Sequence, residues 1–412
     1  MRSHASSLAI EGAYSTPAEQ KAVLPQLVGF YFAFRLFTVL LTVRVFGGDA
    51  KTGAALGVVL NLLLLLIVIF HSLGSARAAL ATSLRIANFR WVILFLVLSG
   101  CSLLWSETVS LAAALAYWCS MVADVAMVVL LMRTGPATRM MSSAMAGYVY
   151  GACLIAAIAW ILPAQSDLRL GDEELLGPNQ IGYACAFAAL FAQYLAGCRQ
   201  GRWKFAAVFL SITLLRSLSK TTIFAFMAAE VFWLLRDSSI ARKTKIYFIV
   251  SALVVIAIFS ELLLSYYSVY TNAGNQAETL TGRLGIWAFI LDRALQQPWI
   301  GHGFHSVWKV IPPFGSDQFE ARHAHNELLQ QFYAYGVVGV VMLVGIYRSF
   351  YLGVRKFPAG PLKTFAFSML VFALFRGLAD TEVFDLSLPL WLMSMICLQF
   401  VSSPGFQEGA HL

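Results

Sequence analysis

The chain has 412 residues, of which 59% are hydrophobic and only 12% charged, with a mean hydropathy of +0.74. Soluble globular domains carry about 25% charged residues, so the composition excludes one and indicates an integral membrane protein. The formal net charge of +8 would suggest nucleic acid only if the basic residues gathered on one polar surface, and they do not.

Residues 1–23 open with MRSHASSLAIEGAYSTPAEQK, a polar stretch that reads as a cytoplasmic tail. No apolar run followed by a small-residue cleavage site marks a removable signal peptide there. A helix needs about 20 apolar residues to cross a bilayer. About twelve such stretches follow, near 24–46, 53–72, 89–106, 108–132, 140–163, 179–197, 204–219, 221–235, 246–268, 328–347, 364–379 and 384–401. Their connections are short, so 1–412 is expected to be a single polytopic membrane domain of all-α class. Long unalternating apolar runs exclude a lipid-spanning barrel. No internal repeat is visible, which removes support for the inverted halves of many secondary transporters. The six cysteines form no CxxC pair or metal spacing and read as free thiols.

With the tail inside, the cytoplasmic connections hold Arg77, Arg85 and Arg90; Arg133 and Arg139; Arg199, Arg202 and Lys204; Arg236, Arg242, Lys243 and Lys245; Arg348, Arg355, Lys356 and Lys363. Adding Arg2 and Lys21 accounts for most of the 29 Lys and Arg, while the opposite face has acidic connections such as Gly171-Asp172-Glu173-Glu174. This is the positive-inside pattern, so the basic balance records topology and not a nucleic-acid partner. A smaller group runs against it on the outer side: Arg216, Lys220, Arg283, Arg293, Lys309, Arg322 and Arg376, with Lys51 and Arg169 more peripheral. One such arginine could simply snorkel to headgroups. Several converging from distant stretches point to an anionic ligand at the outer face. Arg35, Arg44, Asp124, Glu230 and Glu261 fall within stretches; Arg35 paired with Asp124 or Glu230, or a relay or transport path, would account for them.

The outer loop 269–327 concentrates the titratable groups. Thr279 or Thr281 can cap a helix over 282–297, with Leu284, Trp287, Ile290, Leu291 and Leu295 as its apolar face and Pro298 as its stop. Such a helix would lie at the membrane interface. Arg283 in its first turn adds a guanidinium where free amides and the helix dipole already favour a phosphate or pyrophosphate. Gly301-His302-Gly303-Phe304 then reads as a tight turn; it lacks the Walker lysine and the GxGxxG spacing of a phosphate loop.

The strongest local signal is His323-Ala324-His325-Asn326-Glu327, directly before a membrane-length stretch. Without HExxH, a third histidine or an aspartate pair, metal is disfavoured. A histidine at the outer mouth of a helix suits general-base work on a hydroxyl, and nearby guanidinium groups favour a neutral imidazole. Arg216-Ser217-Leu218-Ser219-Lys220 and Arg376-Gly377-Leu378-Ala379-Asp380-Thr381-Glu382 complete the outer polar set. No GxSxG pattern is present, which argues against a hydrolase.

In TGRLGIW at 281–287, PWIGHGF at 298–304 and HAHNELLQ followed by Gly336 and Gly339, the chain resembles the O-antigen ligase superfamily, which also contains polysaccharide polymerases. Gly177-Pro178-Asn179-Gln180-Ile181-Gly182, SLSKT at 217–221 and Arg376 near Glu382 are further matches. The resemblance implies a GT-C-like helical fold in the bacterial inner membrane, with 269–327 as a periplasmic loop containing interfacial helices. It implies a metal-independent glycosyltransferase that needs no cofactor. The donor would be a glycan on undecaprenyl pyrophosphate and the acceptor lipid A-core. It places His325 as catalytic base, with His323 able to share the role, and Arg283 at the pyrophosphate with Arg216 or Lys220. Arg376 from the last polar cluster would join that anion pocket. A polymerase joining lipid-linked repeat units needs the same chemistry, and a lipid-linked glycan transporter using Arg35, Asp124 and Glu230 is the reading from another class.

Overall fold

The structure, a computed structural model, describes residues 22–73, 83–163, 169–172, 175–198, 201–237, 240–258, 280–307 and 323–401. Arg2, Lys21, Arg77, Glu173, Glu174, Arg199, Glu261, Thr279, Lys309 and Arg322 lie outside these residues. Among the described residues there is no strand, only an isolated bridge between Asp172 and Leu176. The helices are α1 (Val23–Arg44), α2 (Ala50–Leu73), α3 (Ala87–Cys101), α4 (Leu111–Thr134), α5 (Ala137–Ile161), α6 (Pro178–Cys198), α7 (Arg202–Ser217), α8 (Lys220–Arg236), α9 (Arg242–Ile258), α10 (Leu280–Ala294), α11 (Glu327–Arg355), α12 (Pro361–Gly377) and α13 (Leu390–Val401).

Seven segments are long and apolar enough to cross a membrane: α1, α2, α3 with its 3₁₀ continuation to Leu104, α4, α5, α6 and α11. Each of the other five expected stretches also carries a helix, but α7, α8, α9, α12 and α13 have 16, 17, 17, 17 and 12 residues. The last stretch shows why: expected over 384–401, its helix begins only at Leu390. Pro389 has no amide to donate, and Asp385 Oδ1 accepts the amides of Leu386 (2.7 Å) and Leu390 (3.3 Å), which holds 385–389 in a non-helical course.

Without a hydrophobic force between helices in lipid, close packing requires small residues at the contact. α1 and α5 use this device: a Cβ on Gly29 would stand 1.8 Å from Ala144 O, and one on Gly147 1.8 Å from Gln26 O. Within the bundle Arg35 donates to Asp124, which also accepts from Asn61 Nδ2 at 3.0 Å. The partner of Arg35 is therefore Asp124, while Glu230 accepts from Gln193 Nε2 at 3.1 Å.

α11 is broken at Gly336, where φ is 62° and ψ is −152°. The break leaves backbone groups without helical partners, and the 298–303 turn supplies them. Val337 N–H donates to Pro298 O at 2.8 Å, while Tyr333 O and Ala334 O accept the amides of His302 (3.0 Å) and Gly303 (2.8 Å). Only glycine fits at 336, since a Cβ there would lie 2.4 Å from the Trp299 carbonyl carbon. Glu107, in the loop before α4, fastens the same turn: its carboxylate lies 3.0 Å from His302 Nδ1 and accepts from Gln297 Nε2 at 3.0 Å.

The helix expected over 282–297 spans 280–294, and of its expected face only Trp287 and Ile290 pack inward. Ile286, Ile290 and Ala294 turn inward and share a small cluster with Val307, Ala324 and Tyr333, Trp287 packs against it, and Arg283 is buried, whereas Leu284, Leu291 and Leu295 are exposed. Both sides of α10 are apolar, so periodicity alone could not choose between them.

Candidate active site

The start of α11, the end of α12, α10 and the α7–α8 turn meet at one buried polar site. Asn326 begins it: its side chain accepts the Leu329 amide at 2.9 Å as the N-cap of α11 and donates to Leu378 O at 2.9 Å. One side chain thus satisfies an orphan amide and ties the mouth of α11 to the end of α12.

The residue before it, His325, has a left-handed backbone (φ 50°) and is only 5% exposed. Non-glycine residues rarely adopt this conformation and it costs about 1–3 kcal/mol, so it is retained only where the surroundings enforce it. It brings His325 Nδ1 to 3.3 Å from Asp380 Oδ1. Arg376 reaches the other carboxylate oxygen with Nη2 at 3.2 Å and Glu382 with Nη1 at 2.9 Å. The face of its guanidinium lies 4.2 Å from the centre of the Tyr183 ring.

Burial alone would raise the Asp380 carboxyl; the Arg376 guanidinium, the His325 hydrogen bond and both imidazoles outweigh it and hold the group well below the usual carboxylate range. Against an ionised Asp380, His325 Nδ1 carries the proton and donates it. His325 Nε2 is then the lone-pair nitrogen, and it is buried with no hydrogen-bond partner. That is the arrangement of an imidazole poised to accept a proton.

His323 lies 3.9 Å from the same Asp380 oxygen, and its Nδ1 accepts the His325 amide at 3.3 Å. Burial first, then His325, Arg376 and Arg283, push its imidazole well below the ordinary histidine value, so it is neutral. Arg283, 7% exposed, donates to Thr221 Oγ1 at 2.8 Å and to Ala379 O. These bonds join α10 to the start of α8 and the end of α12. Arg216 closes α7 and Lys220 opens α8, both half-buried, on either side of the turn through Leu218 (φ 53°) that leads to Thr221. Arg376, expected beside the others in the anion pocket, is 3% exposed and has its fork on two carboxylates.

The sequence disfavoured metal because a third ligand was missing. In the structure Asp380, 55 residues from His325, supplies a third donor atom, and the three atoms lie within 4.8 Å of one another. Arg376 and Arg283 face the same group, and their positive charge opposes a divalent cation there.

Residues 205–344 match the family model described as O-antigen ligase. The matched stretch covers about a third of the 412 residues, and the chain is similar to that family there. A 99-residue stretch is 29% identical to the O-antigen ligase of Pseudomonas aeruginosa, and the match spans 24% of this chain and 24% of that relative. The matched stretch includes Arg216, Lys220, Arg283, His323 and His325, whereas Arg376, Asp380 and Glu382 follow it.

The sequence puts Asp380 and Glu327 in polar clusters without assigning either a role. The i, i+4 spacing of Arg376 and Asp380 at the end of a helix was the available signal. Glu327 accepts from Tyr347 Oη (2.9 and 3.0 Å) and from the Ser387 amide at 2.6 Å, fixing the non-helical 384–389 segment against α11.

Proposed function

We propose that this protein is a metal-independent membrane glycosyltransferase, an O-antigen ligase, that moves a glycan from undecaprenyl pyrophosphate to a sugar hydroxyl of lipid A-core. The observation that carries the reading is the buried Arg376–Asp380–His325 chain, which ends on an unpartnered imidazole nitrogen. In this reading the seven long helices and the five short ones make twelve crossings of a GT-C-like bundle in the inner membrane. The 269–327 loop caps the site on the periplasmic side.

His325 Nε2 takes the proton of the acceptor hydroxyl as its oxygen attacks the anomeric carbon. The bond from that carbon to the pyrophosphate oxygen breaks, and undecaprenyl pyrophosphate leaves with the electron pair. Arg283, with Arg216 and Lys220 across the α7–α8 turn, stabilises the charge gathering on the leaving group. Arg376 acts through Asp380 and not on the pyrophosphate: it keeps the carboxylate ionised, and the carboxylate keeps His325 in the useful tautomer. His323, neutral and adjacent, can take a share of the proton.

The test is glycan transfer by the full chain reconstituted in lipid, with a lipid-pyrophosphate glycan and lipid A-core. His325→Asn, chosen because asparagine accepts a left-handed backbone, is expected to lower turnover by about 10²–10⁴-fold. Arg283→Ala should lower it by about 10²–10³-fold. Near-parental turnover in both variants would sink the assignment. Chelator treatment should leave transfer unchanged, and a loss restored by divalent metal would overturn the metal-free mechanism. A lengthened glycan still on its carrier would identify a polymerase, and glycan movement without a new covalent bond a transporter.

A further inference from the structure

At the opposite end of α11 a second feature is unused by this chemistry. A cavity of about 700 Å³ opens between the start of α3 and the last turns of α11. Arg85, Arg90, Arg348, Arg355 and Lys356 line it, and no carboxylate does. Among the described residues none of these five pairs with an acidic side chain. Five cations held together without counter-charge repel one another, and an anion relieves that repulsion.

Two further observations point to a ligand. The N-cap of α3, Ile86, offers no side-chain cap, so the first amides of a 15-residue helix and its positive dipole end lie beside the cations. Asn88, in the same turn, is 1% exposed and lines the cavity. Its Nδ2 donates to Ile346 O (3.0 Å) and Ser349 Oγ (3.2 Å), while its Oδ1 is buried with no hydrogen-bond partner. A buried acceptor left in this state calls for a donor from outside the protein.

The remaining wall is apolar, with Ile86, Trp91 and Leu352. Both bounding helices are long enough to span the membrane, and this is the end that the positive-inside pattern puts in the cytoplasm. We propose that the cavity seats an anionic glycerophospholipid with a free headgroup hydroxyl, of the phosphatidylglycerol type. The phosphodiester would meet the cations and the α3 amides, the hydroxyl would donate to Asn88 Oδ1, and an acyl chain would lie along Trp91 and Leu352. A zwitterionic headgroup would set its ammonium against five positive charges, and a free phosphate ion would leave the apolar wall and the Asn88 acceptor unused.

The full chain in a neutral detergent would be offered phosphatidylglycerol or phosphatidylcholine in equal amounts, and lipid retention read by native mass spectrometry. Phosphatidylglycerol should be retained preferentially. Arg90→Gln with Arg348→Gln should weaken its retention by about thirtyfold, the factor for two cations at a charged surface. Arg236→Gln with Lys243→Gln, on the same side but outside the cavity, should change nothing. If the first pair fails to fold, Arg85→Gln with Arg355→Gln is read the same way. Unchanged retention in a folded cavity variant, or equal retention of phosphatidylcholine, would overturn the proposal. So would inorganic phosphate alone displacing the lipid, since that would make the site one for a free ion.

Discussion

At the scale of single residues, the site is a chain of charge in which each group settles the state of the next. Arg376 is held flat on Tyr183 and pinned between Asp380 and Glu382, so its position is fixed before any substrate arrives. In the proposed mechanism Asp380 is a positioning residue, and replacing it with the isosteric amide should separate orientation from binding. Asp380→Asn is expected to lower kcat by at least about 10²-fold with KM little changed, because an amide no longer imposes the tautomer that leaves Nε2 free. Unchanged kcat with a raised KM would instead put Asp380 in contact with substrate. His325 was legible in the sequence because it sits at the mouth of a membrane-length stretch, next to a residue suited to cap it. The pairing of Asp380 with His325 was not, since it is a contact across 55 residues that no local pattern encodes.

At the scale of elements, the break in α11 and the 298–303 turn form one unit stitched by backbone hydrogen bonds. Gly336→Ala should place a Cβ 2.4 Å from the Trp299 carbonyl carbon and force a side-chain-bearing residue to positive φ. A cost of about 1–3 kcal/mol from the backbone conformation alone should appear as a lowered apparent Tm. Gly197→Ala in α6 is the control, because nothing lies within 4 Å of the added atom. There a helical alanine should gain up to about 1 kcal/mol. Equal melting of the two variants would mean that the stitch adds nothing to stability. The apolar stretches made the helices legible, and Gly-x-Gly after Pro298 made the turn legible. Which face of α10 would be buried was not, because a membrane protein has apolar residues on lipid-facing and protein-facing sides alike.

For the whole molecule, the buried histidines set a pH response. Burial pushes His305 down to about 4 from an ordinary 6.5, and burial with neighbouring positive charge pushes His323 well below the same value. Because the unfolded chain then binds protons that the folded chain refuses, stability rises with pH over that interval. The contribution is complete above about 6.5 and is lost as pH falls toward 4. The His323 part of this is isolated by comparing the parent with His323→Gln: the difference in apparent Tm, parent minus variant, should shrink between about pH 7 and pH 5 in detergent. A difference independent of pH would contradict this. The class of molecule was legible from composition, and its sidedness is expected from charge. The start of α13 was not, since it depends on the Asp385 side chain, which captures the amides of Leu386 and Leu390 ahead of the helix.

The interruption at Gly336 also bears on how the chain is assembled. A span inserted with a break in its hydrogen-bond ladder carries unmet carbonyls at Tyr333 and Ala334 until something reaches them. What reaches them is the turn at 298–303, which precedes the span in the order of synthesis. Stable insertion of this span and folding of the outer loop should then be a single event, and a truncated chain lacking residues 298–303 should leave the segment prone to removal by quality-control proteases.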